Sequence, residues 1–165
     1  MATIQFKGHN IKTIGQLPAL GNRAPDFSLT RADLSEATLA NFTGKRKLLN
    51  IFPSLDTGVC AHSVRQFHQR ASQAKNAVVI HISKDLPFAQ GRFCKTEGIA
   101  AVETLSTFRS SFAKDYGVEI LDGPLKGLCS RAVVVLDEHD KVIYTEQVPE
   151  IAQEPNYDKA LAALS

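Results

Sequence analysis

The chain has 165 residues, 44% hydrophobic and 22% charged, proportions that suit one soluble domain spanning residues 1–165 with a sizeable core. Its 19 Lys and Arg against 17 Asp and Glu leave a formal net charge of +2, which makes no case for nucleic acid or a membrane surface as partner. No apolar run approaches the roughly 20 residues that span a bilayer, and the opening MATIQFKGHNIKTIG lacks the basic and apolar regions of a secretory signal, so a cytoplasmic location is expected.

In chain order, TIQFKGHNIKTI over 3–14 reads as a short hairpin turning at Gly8-His9-Asn10. Pro18 to Pro25 is loop, and FSLTRADLSEATLANFTGK carries a strand at its start and a short turn of helix in its middle. LLNIF, 48–52, is an apolar run stopped by Pro53 and reads as a strand buried on both faces. Cys60, Val64, Phe67, Ala71 and Ala74 then recur at steps of four, three, four and three, one face of a helix. AVVIHIS, 77–83, is a second buried strand. Asp85-Leu86-Pro87 opens another helix, with proline in its first turn and Gly98 as its stop. LSTF near 105–108 begins a strand, and SFAKDYG, 111–117, is a short helix. RAVVVLD, 131–137, gives the strongest strand signal and forms a hairpin with KVIYTEQV. NYDKALAAL, 156–164, closes the chain as a helix.

Strands alternating with helices predict an α/β fold: a central mixed sheet flanked by helices, with the N-terminal β-hairpin beside it. The order β-α-β-α-β-β-α is that of a thioredoxin-like core.

Three cysteines, at 60, 94 and 129, without a Cys-x-x-Cys, do not make a stapled secreted scaffold. They are buried thiols, metal ligands or redox groups. Cys60 stands where the proline-ended loop FPSLDTGVC becomes a helix. Unpaired N–H groups and a partial positive charge collect there, and they favour the thiolate, the nucleophilic form. Thr57, three residues earlier, can set a hydroxyl beside the sulfur, both donating and accepting. Pro53 stiffens the loop. Most cysteines in such positions are simply packed in the core, so the local pattern has to carry the argument.

PSLDTGVC matches Pro-x-x-x-Thr-x-x-Cys, the active-site signature of peroxiredoxins. The segments KRKLLNIFPSLDTGVCAHSVRQF, SKDLPFAQGRFC, TLSTFR and DGPLKGL-x-x-RAVVVLDE extend the likeness over nearly the whole chain, which resembles the bacterial thiol peroxidases, the atypical 2-Cys branch. The resemblance implies a peroxidase that reduces hydrogen peroxide and organic hydroperoxides. Cys60 is then the peroxidatic cysteine, Pro53, Thr57 and Arg131 the other catalytic positions, and Cys94 the resolving cysteine of an intrachain Cys60–Cys94 disulfide. It further implies a thioredoxin-like fold, a homodimer, and thioredoxin as reductant, with no cofactor and no metal. The chemistry agrees: attack on an O–O bond spreads negative charge over two oxygens, which fixed donors stabilise, and the sulfenic acid formed needs a thiol before it over-oxidises.

Two other readings stay open. One is a thiol–disulfide oxidoreductase on the same fold, which the missing Cys-x-x-Cys argues against. The other is a non-catalytic redox sensor. Alternation puts Cys129 on the same face as Arg131, where it reads as a packed residue. His62, His68 and His81 match no zinc spacing. Phe88 and Phe93, near Cys94, read as core, with an apolar pocket for larger hydroperoxides as the other reading. Gly91 inside that helix costs about 1 kcal/mol relative to Ala and makes it easier to open.

Overall fold

The computed structural model describes residues 1–71, 74–99 and 102–165. A two-stranded hairpin, β1 (Thr3–Phe6) and β2 (His9–Lys12), precedes a seven-stranded sheet. The sheet is built from β3 (Ser28–Arg31), β4 (Glu36–Thr38), β5 (Arg46–Ile51), β6 (Ala77–Ser83), β7 (Glu103–Ser106), β8 (Ala132–Leu136) and β9 (Val142–Gln147). Spatial order is β4-β3-β7-β6-β5-β8-β9. The pairs β5–β6 and β6–β7 are parallel, and the outer pairs are antiparallel. Helices α1 (Gly58–Ala71), α2 (Pro87–Thr96), α3 (Phe112–Asp115) and α4 (Tyr157–Leu164) connect and cover it, with a 3₁₀ turn at Leu39–Phe42. This is the expected mixed, thioredoxin-like sheet with a separate N-terminal hairpin. Among the described residues no helix is long and apolar enough to cross a membrane.

The central strands are apolar on both sides because both sides are covered. Leu49 and Ile51 of β5, with Ala132, Val134 and Leu136 of β8, enter one cluster beside Phe27, Phe112 and Tyr116. Leu48, Val133 and Val135 enter the opposite one, beneath Phe67 of α1 and Ala160 and Leu164 of α4. Each fully buried side chain of this size contributes about 1.5–3 kcal/mol.

Several local expectations shift. The hairpin turns at Lys7-Gly8, both at positive φ, so His9 and Asn10 belong to β2. Two consecutive positive φ values make the tight turn that matches strand twist. Ala74 lies past the end of α1, though it still packs on the second cluster. β4 has no counterpart in the sequence reading. Its three residues, Glu36–Thr38, earn strand geometry only by pairing with β3. Phe88 is 68% exposed rather than core.

The hairpin is tied to the far end of the chain. Glu150 accepts at its two carboxylate oxygens from the Lys7 and Gly8 N–H groups, each at 3.1 Å. Along the same seam the Gln5 N–H donates to the Pro149 carbonyl at 2.7 Å, and the Gln5 carbonyl accepts from the Ile151 N–H at 2.9 Å.

Candidate active site

β5 ends at Ile51, where β8 begins opposite it at Ala132. The loop leaving β5 therefore passes beside the residue entering β8, Arg131. That loop, Phe52 to Thr57, is compact: the Ser54 carbonyl accepts from the Thr57 N–H at 3.2 Å and the Thr57 hydroxyl at 3.0 Å. Pro53 is buried at its start. α1 follows at Gly58, and Cys60 is the third residue of its first turn, where helix N–H groups lack intrahelical partners.

Cys60 is fully buried, packed among Phe52, Leu55 and Val64, with Phe93 of α2 against them. Arg131, 2% exposed, donates from Nη2 to Cys60 Sγ at 3.1 Å and from Nε to the Ile151 carbonyl at 2.7 Å. Its Nη1 is buried and meets no acceptor among the described residues. One guanidinium thus spans three tasks: an anchor on a backbone carbonyl, a bond to the sulfur, and a donor left available beside it. A guanidinium stays charged at any working pH and presents its donors in a rigid fork.

Beneath α1 a polar chain fixes the backbone of the same residue. Ser63 Oγ donates to the Cys60 carbonyl at 2.8 Å, and Asn50 Nδ2 donates to Ser63 Oγ at 3.3 Å and to His81 Nδ1 at 3.0 Å. Burial, with a smaller push from His68, lowers the His81 imidazole to about 3, so it stays neutral and accepts. His62 lies outside this chain of bonds, 2.8 Å from Glu154 on the surface.

The structure thus brings Cys60 and Arg131 together, with Pro53 buried in the loop that leads into α1. It sets Thr57 at the mouth of α1, exposed, with its hydroxyl donated to Ser54 rather than to the sulfur and its lone pairs left to accept. Cys94 stands apart on α2 as a half-buried thiol. Burial raises it from its ordinary value, while a bond with the Thr104 side chain pulls the other way. All three cysteines are free. Cys129 does not share a face with Arg131: it packs in the first cluster with Ala132 and Val134, and burial pushes it up to about 12. Strand alternation fails there because β8 begins only at Ala132. The sequence reading missed the carbonyl of Ile151, which any residue type could supply. It also missed Asp85, read only as the start of α2.

A buried cysteine in the first turn of a helix, bonded to a buried arginine where β5 ends and β8 begins, fits a cysteine redox protein of thioredoxin-like architecture. Comparison with known proteins narrows the class. The Redoxin family model matches residues 19–161. The chain is 57% identical over 164 residues to the thiol peroxidases of Mycobacterium bovis and Mycobacterium tuberculosis, covering 99% of this chain and 99% of each relative. A peroxiredoxin-like protein from Aquifex aeolicus superposes with a TM-score of 0.94 at 36% identity, over 99% of this chain and 96% of that one. A thiol peroxidase from Chromobacterium violaceum gives 0.92 at 26% identity, over the same 99% and 96%. The chain belongs to the Redoxin family.

Proposed function

We propose that this thiol-dependent peroxidase uses Cys60 as its nucleophile, Arg131 and Thr57 as the groups that stabilise the transition state, and Cys94 as its resolving thiol. The observation that carries the reading is the Arg131 Nη2 to Cys60 Sγ bond of 3.1 Å in a site with no solvent exposure at the sulfur. The Cys60 thiolate attacks the terminal oxygen of a peroxide. The S–O bond forms, the O–O bond breaks, and water or an alcohol leaves after taking a proton from solvent. Charge moves from sulfur to the departing oxygen. The Arg131 guanidinium lies along that path, with Nη2 at the sulfur and Nη1 free to meet a peroxide oxygen. The first amides of α1 add their partial positive charge. Thr57 is free to accept the peroxide hydrogen, and Pro53 shields the loop from water.

The sulfenic acid on Cys60 is then displaced by the Cys94 thiol, releasing water and forming an intrachain disulfide. Cys94 is turned onto Thr104 in the reduced fold, and a disulfide needs Cα atoms within about 7 Å. α2 opens locally to bring it over, which also exposes the disulfide to its reductant, thioredoxin, in the reducing cytoplasm. The working unit is a homodimer. The absence of a Cys-x-x-Cys disfavours a dithiol oxidoreductase.

The test is turnover. With thioredoxin and its reductase supplied, the wild-type chain should consume hydrogen peroxide or an organic hydroperoxide over many cycles. Cys60→Ser should consume none, because an alcohol is hardly ionised at neutral pH. A sensor would stop after one equivalent. Oxidised wild type should run at monomer mass on a non-reducing gel, with a Cys60–Cys94 link by peptide mapping. A disulfide-linked dimer as the main product would refute the intrachain scheme.

A further inference from the structure

Asp85 lies two residues before α2, where a carboxylate ordinarily caps the helix that follows. It does not do so. The N-cap position of α2 is Leu86, and among the described residues no side chain caps it. Both Asp85 oxygens turn the other way. Oδ1 accepts from the Ser54 hydroxyl at 2.7 Å, and Oδ2 accepts from the Leu55 N–H at 2.8 Å. These donors belong to the loop that leads into Cys60, and the Ser54 carbonyl in turn holds Thr57.

The same carboxylate reaches into α2 through one further residue. Oδ2 also accepts from the Ser83 hydroxyl at 2.7 Å, and Ser83 Oγ accepts from Gln90 Nε2 at 3.1 Å. Gln90, fully buried on α2, gives its second amide hydrogen to the Leu105 carbonyl at 3.0 Å. The Asp85 carbonyl takes the Ser106 hydroxyl at 2.5 Å. A single network therefore runs from the Cys60 loop, through Asp85 and Ser83, to the helix that carries Cys94. Its centre is a carboxylate with three donors, and hydrogen bonds to an ionised acceptor are roughly twice as strong as neutral ones.

We propose that Asp85 is a positioning residue that couples the two halves of the cycle: it holds the Cys60 loop in its attacking geometry and restrains α2 until attack is over. The inference rests on Cys60 and Cys94 having the roles given above. Asp85 exchanges no proton or electron in either step. Attack needs a loop already in place, whereas disulfide formation needs α2 to come away. Removing the carboxylate therefore moves the two rates in opposite directions. A residue that only supports the fold would slow both or neither.

The chain has no Trp, so each half-reaction is followed by quenched flow with thiol trapping and mass spectrometry. Asp85→Asn keeps the size of the side chain but turns an NH₂ group toward one set of donors. We expect attack on hydrogen peroxide about 10-fold slower, roughly the value of one charge-assisted hydrogen bond. We expect the Cys60–Cys94 disulfide to form several-fold faster from the sulfenic acid. Ser54→Ala removes the hydroxyl arm, together with the bond that Ser54 Oγ accepts from the Asp56 N–H at 3.1 Å, and leaves the Leu55 and Ser83 bonds. It should shift both rates the same way by a smaller factor, and it keeps the inference testable if Asp85→Asn does not fold. Rates that fall together, or stay at wild type, in a folded variant would overturn the coupling. Cys60→Ser run alongside separates the two levels. Oxidation of that control by one equivalent of peroxide would overturn the site assignment itself, and the coupling with it.

Discussion

Replacing Arg131 by methionine removes the guanidinium and keeps a long apolar stem. At 3.1 Å, a unit positive charge and a thiolate attract by about 5 kcal/mol at an effective dielectric of 20. Much of that gross attraction is offset by the desolvation of both groups, and loss of one preorganised donor in enzymes typically costs 100-fold or somewhat more in rate, about 3 kcal/mol. Stability should move little. The variant loses the bond from Nε to the Ile151 carbonyl, worth about 1–2 kcal/mol, but it also removes Nη1, a buried donor without an acceptor, whose desolvation costs about 1–3 kcal/mol. These opposing terms hold the midpoint of thermal unfolding within a few degrees for a chain of this length. The assay is the second-order rate of Cys60 oxidation in single turnover, beside a thermal melt. Arg131→Lys keeps the charge, but a single ammonium lacks the fork that reaches both the carbonyl and the sulfur. It should fall between wild type and Arg131→Met. A folded Arg131→Met with the wild-type oxidation rate would refute the role given to this arginine.

Cys94→Ser should react once with peroxide, stop at the sulfenic acid, and drift to sulfinic acid under excess peroxide, read as a mass gain on the Cys60 peptide; continued turnover with thioredoxin would remove Cys94 from the cycle. Gly91→Ala should slow disulfide formation. The added Cβ would meet Ala32 Cβ at 3.5 Å, ordinary contact, so the helix gains about 1 kcal/mol and the open state becomes about five-fold rarer; an unchanged rate of disulfide formation would show that α2 does not open in that step. Cys129→Ala should turn over like wild type. In the native protein Cys129 should resist alkylation up to pH 9, because its thiol, pushed up to about 12, stays protonated. Rapid labelling of Cys129 at pH 8 would contradict its burial.

What the sequence made legible depended on how local each feature is. β5, β6 and β8 are runs of apolar residues covered on both faces, and their composition alone marks them. β4 was invisible, because Glu36–Thr38 is polar and is a strand only through its partner. The loop entering α1 and its first turn were visible in Pro53, Thr57 and Cys60. The partner of Cys60 was not, since Arg131 lies 71 residues away and nothing in spacing or periodicity joins them. Only the likeness to a family pointed there. Asp85 misled for a physical reason: an aspartate before Leu-Pro looks like a cap, and only tertiary structure decides whether its oxygens face its own helix or a neighbouring loop.

The N-terminal hairpin stands outside the main sheet, yet it is one residue from the arginine's anchor. Glu150 grips the Lys7-Gly8 turn, and the next carbonyl, that of Ile151, holds Arg131 Nε. The aim of the guanidinium is thus set partly by the first dozen residues of the chain. Their loss, or a purification tag that unpairs β1, would strip Ile4 and Ile11 from Ile120 and Ile151 and loosen the segment whose carbonyl aims the arginine. Such a protein should keep the strand pairing of the central sheet, melt at a lower temperature, and react more slowly with peroxide.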